Sequence, residues 1–136
     1  MIIFNYKIDF KLKNEKEISN WISKVIKLEK KEIGEINYIF SDDEYMLNKN
    51  IKYLKHDTLT DIITFDYSNG NNLTSDIIIS VERVKENAGI FKTNFFEELN
   101  RVIIHGILHL CGYDDKTEKL KIKMRQKEDV YLKLIN

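Results

Sequence analysis

Apolar residues recur along this chain with two different periods, and segments of the two kinds alternate. Every second residue is apolar or aromatic from Ile2 to Phe10 and again from Ile36 to Phe40, which predicts two β-strands. Between them lies a set with the spacing of an amphipathic helix, namely Ile18, Trp21, Ile22, Val25 and Ile26. This alternation predicts an α/β (α+β) fold in which helices pack on one small mixed sheet.

The remaining elements follow from the same periods and from residues typical of turns and helix ends. Two more strands are predicted over residues 61–67 and 76–80, with a turn-rich segment between them. Helices are predicted from Asn14 onward, over 41–54, from Ser80 to Gly89, over 94–111 and over 116–135. Because the 136 residues include no proline and no low-complexity linker, we expect a single domain over residues 1–136.

Composition limits the kind of partner and the cellular compartment that the chain is expected to have. The 22 basic and 22 acidic residues balance, so the chain lacks the basic excess of a dedicated nucleic-acid coat, although a local basic patch is compatible with RNA binding. A single cysteine, Cys111, precludes an intramolecular disulfide and fits a reducing compartment. No signal peptide and no membrane-spanning apolar run are evident. We therefore expect a cytoplasmic protein.

Two histidines give the strongest indication of chemistry. His105 and His109 are four residues apart in the predicted helix 94–111, so both imidazoles can face one metal ion. Gly112 is suited to end that helix in a left-handed conformation, after which Asp115 could approach the same ion. Asp114 is the alternative third ligand, with capping of the following turn as its other role. The opposite side of the helix carries the core-facing stripe Leu99, Val102, Ile103, Gly106 and Leu110.

Such a ligand set has a chemical meaning. Two imidazoles and one carboxylate leave a fourth tetrahedral position for water, which is typical of a catalytic rather than a structural zinc. The chain is therefore predicted to be a metal-dependent hydrolase with one Zn²⁺. However, Gly106 stands where zinc peptidases of the His-Glu-x-x-His type carry their catalytic glutamate, so the motif supplies no general base.

Basic and aromatic residues around the motif suggest how RNA could be bound. Basic residues crowd the final predicted helix, and Lys119, Lys121 and Lys123 are candidate contacts to an RNA backbone, with a solvated helix face as the alternative. Tyr113 could stack on a base, whereas Trp21 is expected to pack in the core.

The run from His105 to Asp115, HGILHLCGYDD, resembles the signature H-G-x-L-H-L-x-G-Y-D-H of the YbeY family. The resemblance extends to Glu98, Leu99 and Arg101 before the run and to Met124 and Glu128 after it. Further matched blocks begin at Asn50 and Ser75, so that it covers residues from about 47 to 132. It implies a zinc-dependent, single-strand-specific endoribonuclease of the bacterial cytoplasm, which acts in rRNA maturation (16S rRNA 3′ end processing) and ribosome quality control.

Several positions depart from the family pattern. The third histidine of the family falls on Asp115, and its arginine falls on Leu54, which leaves Lys55 and His56 as candidates for a phosphate contact or the general base. Three further residues are expected near the site: Asp76 as a partner that orients a ligand histidine, and Thr60 and Asp61 as residues that shape the cleft. Two alternatives remain, a metal-dependent peptidase and a non-enzymatic ribosome-assembly factor with a structural metal.

Overall fold

Four strands and five α-helices are found in the part of the chain that the computed structural model describes, residues 1–54 and 60–135 without the side chain of Leu54. The strands are β1 (Ile2–Tyr6), β2 (Glu32–Ser41), β3 (Ile62–Asp66) and β4 (Asn72–Ser80). The helices are α1 (Glu15–Leu28), α2 (Asp43–Lys49), α3 (Val81–Ile90), α4 (Phe95–Leu110) and α5 (Glu118–Leu132), and a π-helical segment, Asn50–Leu54, follows α2. Within these residues, every helix falls short of the length and apolar character that crossing a bilayer requires.

The strands form one mixed sheet with the order β1-β2-β4-β3. Strands β1, β2 and β4 run parallel, and β3 pairs antiparallel with β4 at one edge of the sheet. Parallel pairing requires a crossover connection, and α1 lies in the connection from β1 to β2 and α2 in that from β2 to β4. The predicted α+β fold with a small mixed sheet is confirmed.

The two faces of the sheet bury different partners. On β4, Ile77 and Ile79 belong to the main core together with apolar residues of α1, α3, α4 and α5. Ile78 points to the opposite face, where it packs with Met46 of α2. Trp21 lies in the main core and donates a hydrogen bond from Nε1 to the carbonyl of Tyr131 at 2.8 Å, so its predicted core role is confirmed.

Some element boundaries differ from the predicted ones. Ser41 was expected to open a helix, but it is the last residue of β2, and Asp42 caps α2 by accepting a hydrogen bond from the Tyr45 N–H at 2.9 Å. The helix predicted over 41–54 changes to π-helical geometry at Asn50. The first strand ends at Tyr6 rather than Phe10, because its pairing partner β2 ends one residue beyond Phe40.

Gly106 brings α4 close to the sheet. A Cβ atom at this position would lie 3.1 Å from Ile62 Cδ1 and 3.3 Å from Ile77 Cδ1, which is tight contact for any side chain. The predicted core-facing stripe of α4 is confirmed, since all five of its members are buried. This close packing sets the distance between α4 and the strands β3 and β4, and with it the position of the two histidines relative to the sheet.

Candidate metal centre

The end of α4 returns the chain toward its own histidines. Gly112 adopts φ +104°, and its N–H donates to the carbonyl of His109 at 3.0 Å, while the Tyr113 N–H donates to the carbonyl of Leu108 at 3.0 Å. This pair of hydrogen bonds is a Schellman motif, which requires the left-handed residue that glycine supplies. The reversal brings Asp115 to the face of the helix that carries the imidazoles.

His105, His109 and Asp115 form a cluster whose ligand atoms all lie within 4.8 Å of one another. Asp115 Oδ2 is 3.5 Å from His105 Nε2 and 3.8 Å from His109 Nε2. Ligands of a tetrahedral zinc, each about 2.0–2.2 Å from the ion, are separated by roughly 3.3 Å. The donor set suits a divalent transition metal, and the carboxylate would have to approach the two imidazoles by only a few tenths of an ångström.

Asp114 points elsewhere. Its Oδ1 accepts hydrogen bonds from the N–H groups of Asp115 at 2.6 Å and Lys116 at 2.9 Å. This is the turn-capping arrangement expected as its alternative role. Of the two adjacent carboxylates, the structure brings Asp115 to the histidines.

Glu128 of α5 orients the first histidine. Its Oε2 lies 2.6 Å from His105 Nδ1, and its Oε1 accepts a hydrogen bond from Arg101 Nη1 at 2.9 Å. Arg101 also donates to Asp129 Oδ1 at 2.7 Å. When Nδ1–H donates to this carboxylate, the lone pair of Nε2 is directed at the ligand cluster, as is usual for metal-binding histidines.

The electrostatic environments of the two histidines differ. Burial lowers the pKa of His105, but its hydrogen bond to Glu128 and the nearby carboxylates outweigh burial, so the pKa is raised overall. Burial lowers the pKa of His109, and the adjacent His105 lowers it further. A proton on the cluster therefore resides on His105, where a metal ion would displace it.

A cleft of about 350 Å³ lies beside the cluster and is lined by both His105 and Asp115. Three more carboxyl groups line it, those of Asp61, Glu98 and Glu128, of which Glu128 is already hydrogen-bonded to His105. Burial raises the pKa of Asp61, and burial together with the charge of Asp61 raises the pKa of Glu98. The cleft thus offers two carboxyl groups that hold a proton more readily than exposed ones do.

Cations border the same cleft. Lys121 and Arg125, one turn apart on α5, both line it, with side chains 58% and 60% exposed. Lys119 and Lys123 lie on a different side of the helix, and Lys123 Nζ is 5.7 Å from the ring centroid of Tyr113. Of the three lysines predicted to contact RNA, the structure brings Lys121 to the cleft.

Other predicted site residues have different positions. Asp76 was expected to orient a ligand histidine, but it precedes Ile77 on β4 and so points to the opposite face of the sheet, where Asn37 donates to it at 3.1 Å. The carboxylate that orients a histidine of the cluster is Glu128 instead of Asp76. Asp61 lines the cleft, whereas the Thr60 hydroxyl donates to the carbonyl of Ile62 at 3.2 Å. Lys55 and His56 lie outside the described residues, as does the side chain of Leu54.

Cys111 and Tyr113 lie between the histidines and Asp115 in the chain, but their side chains are not part of the ligand cluster. Burial raises the pKa of the Cys111 thiol to about 11, so it stays protonated and is a poor metal ligand. The Tyr113 hydroxyl donates to Glu29 Oε1 at 2.9 Å, which ties the turn after α4 to α1.

Sequence spacing did not assign roles to Glu98, Arg101 and Glu128. His105 and Glu128 are 23 residues apart, and their contact depends on how α5 packs against α4. The one signal available was the match of Glu98, Arg101 and Glu128 to residues of the family pattern.

Fold and site together define a class, a small α+β protein with a two-histidine, one-carboxylate candidate metal centre beside a cleft bordered by cations. The profile of the YbeY family, described as Endoribonuclease YbeY, matches residues 3–136. Endoribonuclease YbeY of Flavobacterium psychrophilum is 57% identical over 136 residues, which cover 100% of this chain and 97% of that protein. The corresponding protein of Karelsulcia muelleri is 51% identical over 132 residues, covering 97% and 94%. This chain belongs to the YbeY family.

A solved structure resembles the whole fold. The solution structure of a Thermotoga maritima protein superimposes with a TM-score of 0.69 at 28% sequence identity, covering 99% of this chain and 89% of that one. The similarity therefore extends over the sheet, α4 and α5, the elements that carry the candidate metal centre.

Proposed function

We propose that this protein is a zinc-dependent endoribonuclease that hydrolyses phosphodiester bonds in single-stranded rRNA, including 16S rRNA at its 3′ end, during ribosome maturation and quality control. The observation that carries the proposal is the three-ligand cluster of His105, His109 and Asp115 beside an open cleft bordered by cations. Membership of a family named for endoribonuclease activity supports the choice of RNA over other phosphodiesters. A ribosomal substrate would also mean a cytoplasmic location.

Zinc suits the donor set. Imidazole nitrogens and a carboxylate oxygen are ligands that zinc accepts, and three protein ligands are the usual number in its catalytic sites. A zinc ion held there would supply Lewis-acid activation of water and neutralisation of charge that develops on phosphate oxygens.

The chain's own residues would bind the substrate and handle protons. Lys121 and Arg125 are exposed, and their ion pairs with Glu118 at 3.6 Å and with Glu128 at 3.9 Å are long, so both can turn to phosphates of the substrate. Arg101, in contrast, is held by Glu128 and Asp129 at 2.9 and 2.7 Å. Asp61 and Glu98 are the carboxyl groups available for proton transfer at the cleft, a role that no residue of the motif itself supplies. A second depression of about 330 Å³ is lined by His109 together with Thr64 and Asp66, so the surface is open beside each of the two histidines.

The two alternatives have less support. A peptidase would have to take its base from elsewhere than the motif, since Gly106 faces the sheet where His-Glu-x-x-His enzymes carry theirs, and such an enzyme has no need of the cations that line the cleft. A purely structural metal would have a closed ligand set, whereas His105 and Asp115 line a cleft.

The test compares purified wild-type protein with His105→Ala and His109→Ala variants. Metal analysis should find one zinc per chain in the wild type and a loss in both variants. End-labelled single-stranded RNA should be cut internally by the zinc-loaded wild type alone, while a duplex of the same sequence and an unstructured peptide remain intact. Cleavage that persists in the metal-free variants would contradict the proposal.

A further inference from the structure

One wall of the cleft beside the metal centre carries an exposed aromatic ring. Phe91 lines this cleft together with His105, Asp115, Lys121 and Arg125, and it is 57% exposed. A single exposed phenylalanine is not unusual on a protein surface. What distinguishes it is that the cleft it lines also contains two exposed cations and two of the three candidate metal ligands.

The backbone holds this ring in a defined place. Phe91 caps the end of α3, and the next residue, Lys92, has φ +55°, a left-handed conformation that residues with a Cβ atom rarely adopt. The Thr93 N–H donates to the carbonyl of Ala88 at 2.9 Å and closes the turn. This hydrogen bond is that of an ordinary Schellman helix end, the motif that also ends α4. Phe91 is thus presented by a tight turn rather than by a loose loop.

We propose that Phe91 is a stacking platform for a nucleobase of single-stranded RNA adjacent to the bond that is cut. The proposal rests on the proposed function for its ligand class. Proteins that bind single strands combine a basic groove for the backbone with aromatic rings on which bases stack, whatever the base. Lys121 and Arg125 provide the first component here, and Phe91 provides the second.

This arrangement also accounts for a preference for unpaired RNA. A base reaches an aromatic wall inside a cleft only if it leaves its own helix, and a paired base must first be unpaired and unstacked. The ring would therefore favour single strands without reading their sequence.

The chain supplies a matched control. Phe96, at the start of α4, is 53% exposed, and its ring packs on that of Phe95 with centroids 5.1 Å apart. It is not among the residues that line the cleft. Phe91→Ala and Phe96→Ala thus remove the same side chain from surfaces of similar exposure, and only the first alters the cleft.

The experiment measures cleavage of a single-stranded RNA by the zinc-loaded protein. Phe91→Ala should raise KM by about 5- to 150-fold, the range that removal of one base-stacking ring produces, with kcat changed much less. Phe91→Leu should resemble Phe91→Ala, Phe91→Trp should retain a low KM, and Phe96→Ala should behave as wild type. Equal KM values for Phe91→Ala and Phe96→Ala would overturn the proposal.

Substrates with one abasic nucleotide identify the stacked base. At a single position next to the cleavage site, removal of the base should raise KM for the wild type and have no further effect on Phe91→Ala. An equal effect on both proteins at every position would mean that no base stacks on Phe91.

A binding measurement separates this inference from the proposed function. 2-Aminopurine is placed in turn at each position of a short single-stranded RNA, and at one position its fluorescence should be quenched when excess wild-type protein is added, and much less so with Phe91→Ala. Quenching without cleavage would contradict the proposed nuclease activity and support base stacking on Phe91. Cleavage without Phe91-dependent quenching would support the nuclease activity and contradict the stacking role.

Discussion

Replacement of Glu128 by glutamine should weaken metal binding without touching a ligand. The carboxylate of Glu128 serves two donors at once, His105 Nδ1 at 2.6 Å and Arg101 Nη1 at 2.9 Å. An amide has one oxygen, so in Glu128→Gln one of these donors must face an NH₂ group. Loss of such a partner of a ligand histidine typically lowers metal affinity about 10- to 100-fold, which corresponds to about 1.4–2.7 kcal/mol.

The same change should also cost folding stability. Glu128 is 4% exposed, and after its replacement Asp129 is the remaining close carboxylate partner of Arg101. Leaving a buried polar group poorly satisfied costs about 1–3 kcal/mol, and we expect a loss of this order in the metal-free protein. Urea unfolding without metal isolates this contribution, and competition with a chromophoric zinc chelator measures the affinity.

Asp129→Asn is the matched control for this prediction. Asp129 also accepts a hydrogen bond from Arg101, at 2.7 Å, but its side chain is 53% exposed, and the carboxylate hydrogen-bonded to His105 Nδ1 is that of Glu128. Its replacement should leave zinc affinity within a few-fold of wild type. If Asp129→Asn weakens zinc binding as much as Glu128→Gln, or if Glu128→Gln binds zinc as the wild type does, the orienting role of Glu128 is refuted.

Three further substitutions test other parts of the molecule. Asp115→Ala should lose zinc and RNA cleavage together, whereas Asp114→Ala, which removes only a turn cap, should keep both within a few-fold. Loss of zinc in Asp114→Ala but not in Asp115→Ala would mean that Asp114 is the ligand. Lys121→Gln should reduce the slope of log affinity against log salt for single-stranded RNA by about 1, and Lys119→Gln, outside the cleft, should not change it. Burial raises the pKa of Glu29, but hydrogen bonds from two tyrosines and the nearby lysine outweigh burial and hold this pKa below the usual 4.5. The ionised form of Glu29 therefore stabilises the folded protein above pH 4.5, and this stability is lost as the pH falls through the folded pKa. Glu29→Gln should therefore unfold at lower urea than wild type near neutral pH, and the gap should narrow in acid; a gap independent of pH would contradict this.

The elements that the sequence predicted best are those whose pattern is local. The stripe of α4 and the Gly112 turn depend on residues within a few positions of one another, so helix geometry alone sets their relative placement. Ser41 was misassigned because serine and aspartate both cap helices, and the choice of Asp42 follows from how far β2 extends along β4.

The candidate metal ligands could be predicted because they lie within one helix and the turn after it. His105 and His109 follow from a spacing of four residues, but the position of Asp76 depends on which face of β4 meets α4, and a one-residue difference reverses the face. Glu128 joins His105 through packing of α5 on α4, and no local pattern encodes that contact. Phe91 shows no periodic signal, since it follows the end of α3.

The glycine at position 106 limits how far this centre can be transplanted. Glycine inside a helix costs about 1 kcal/mol relative to alanine, so a free peptide with the sequence of α4 would be a weak helix. Its benefit exists only where Ile62 and Ile77 lie beneath it, and the orientation of His105 exists only where α5 brings Glu128. A designer who grafts the segment from His105 to Asp115 onto another scaffold would carry over three donor atoms without the support that aligns them. The transferable unit is the helix together with two strands and the final helix, most of a domain rather than a motif.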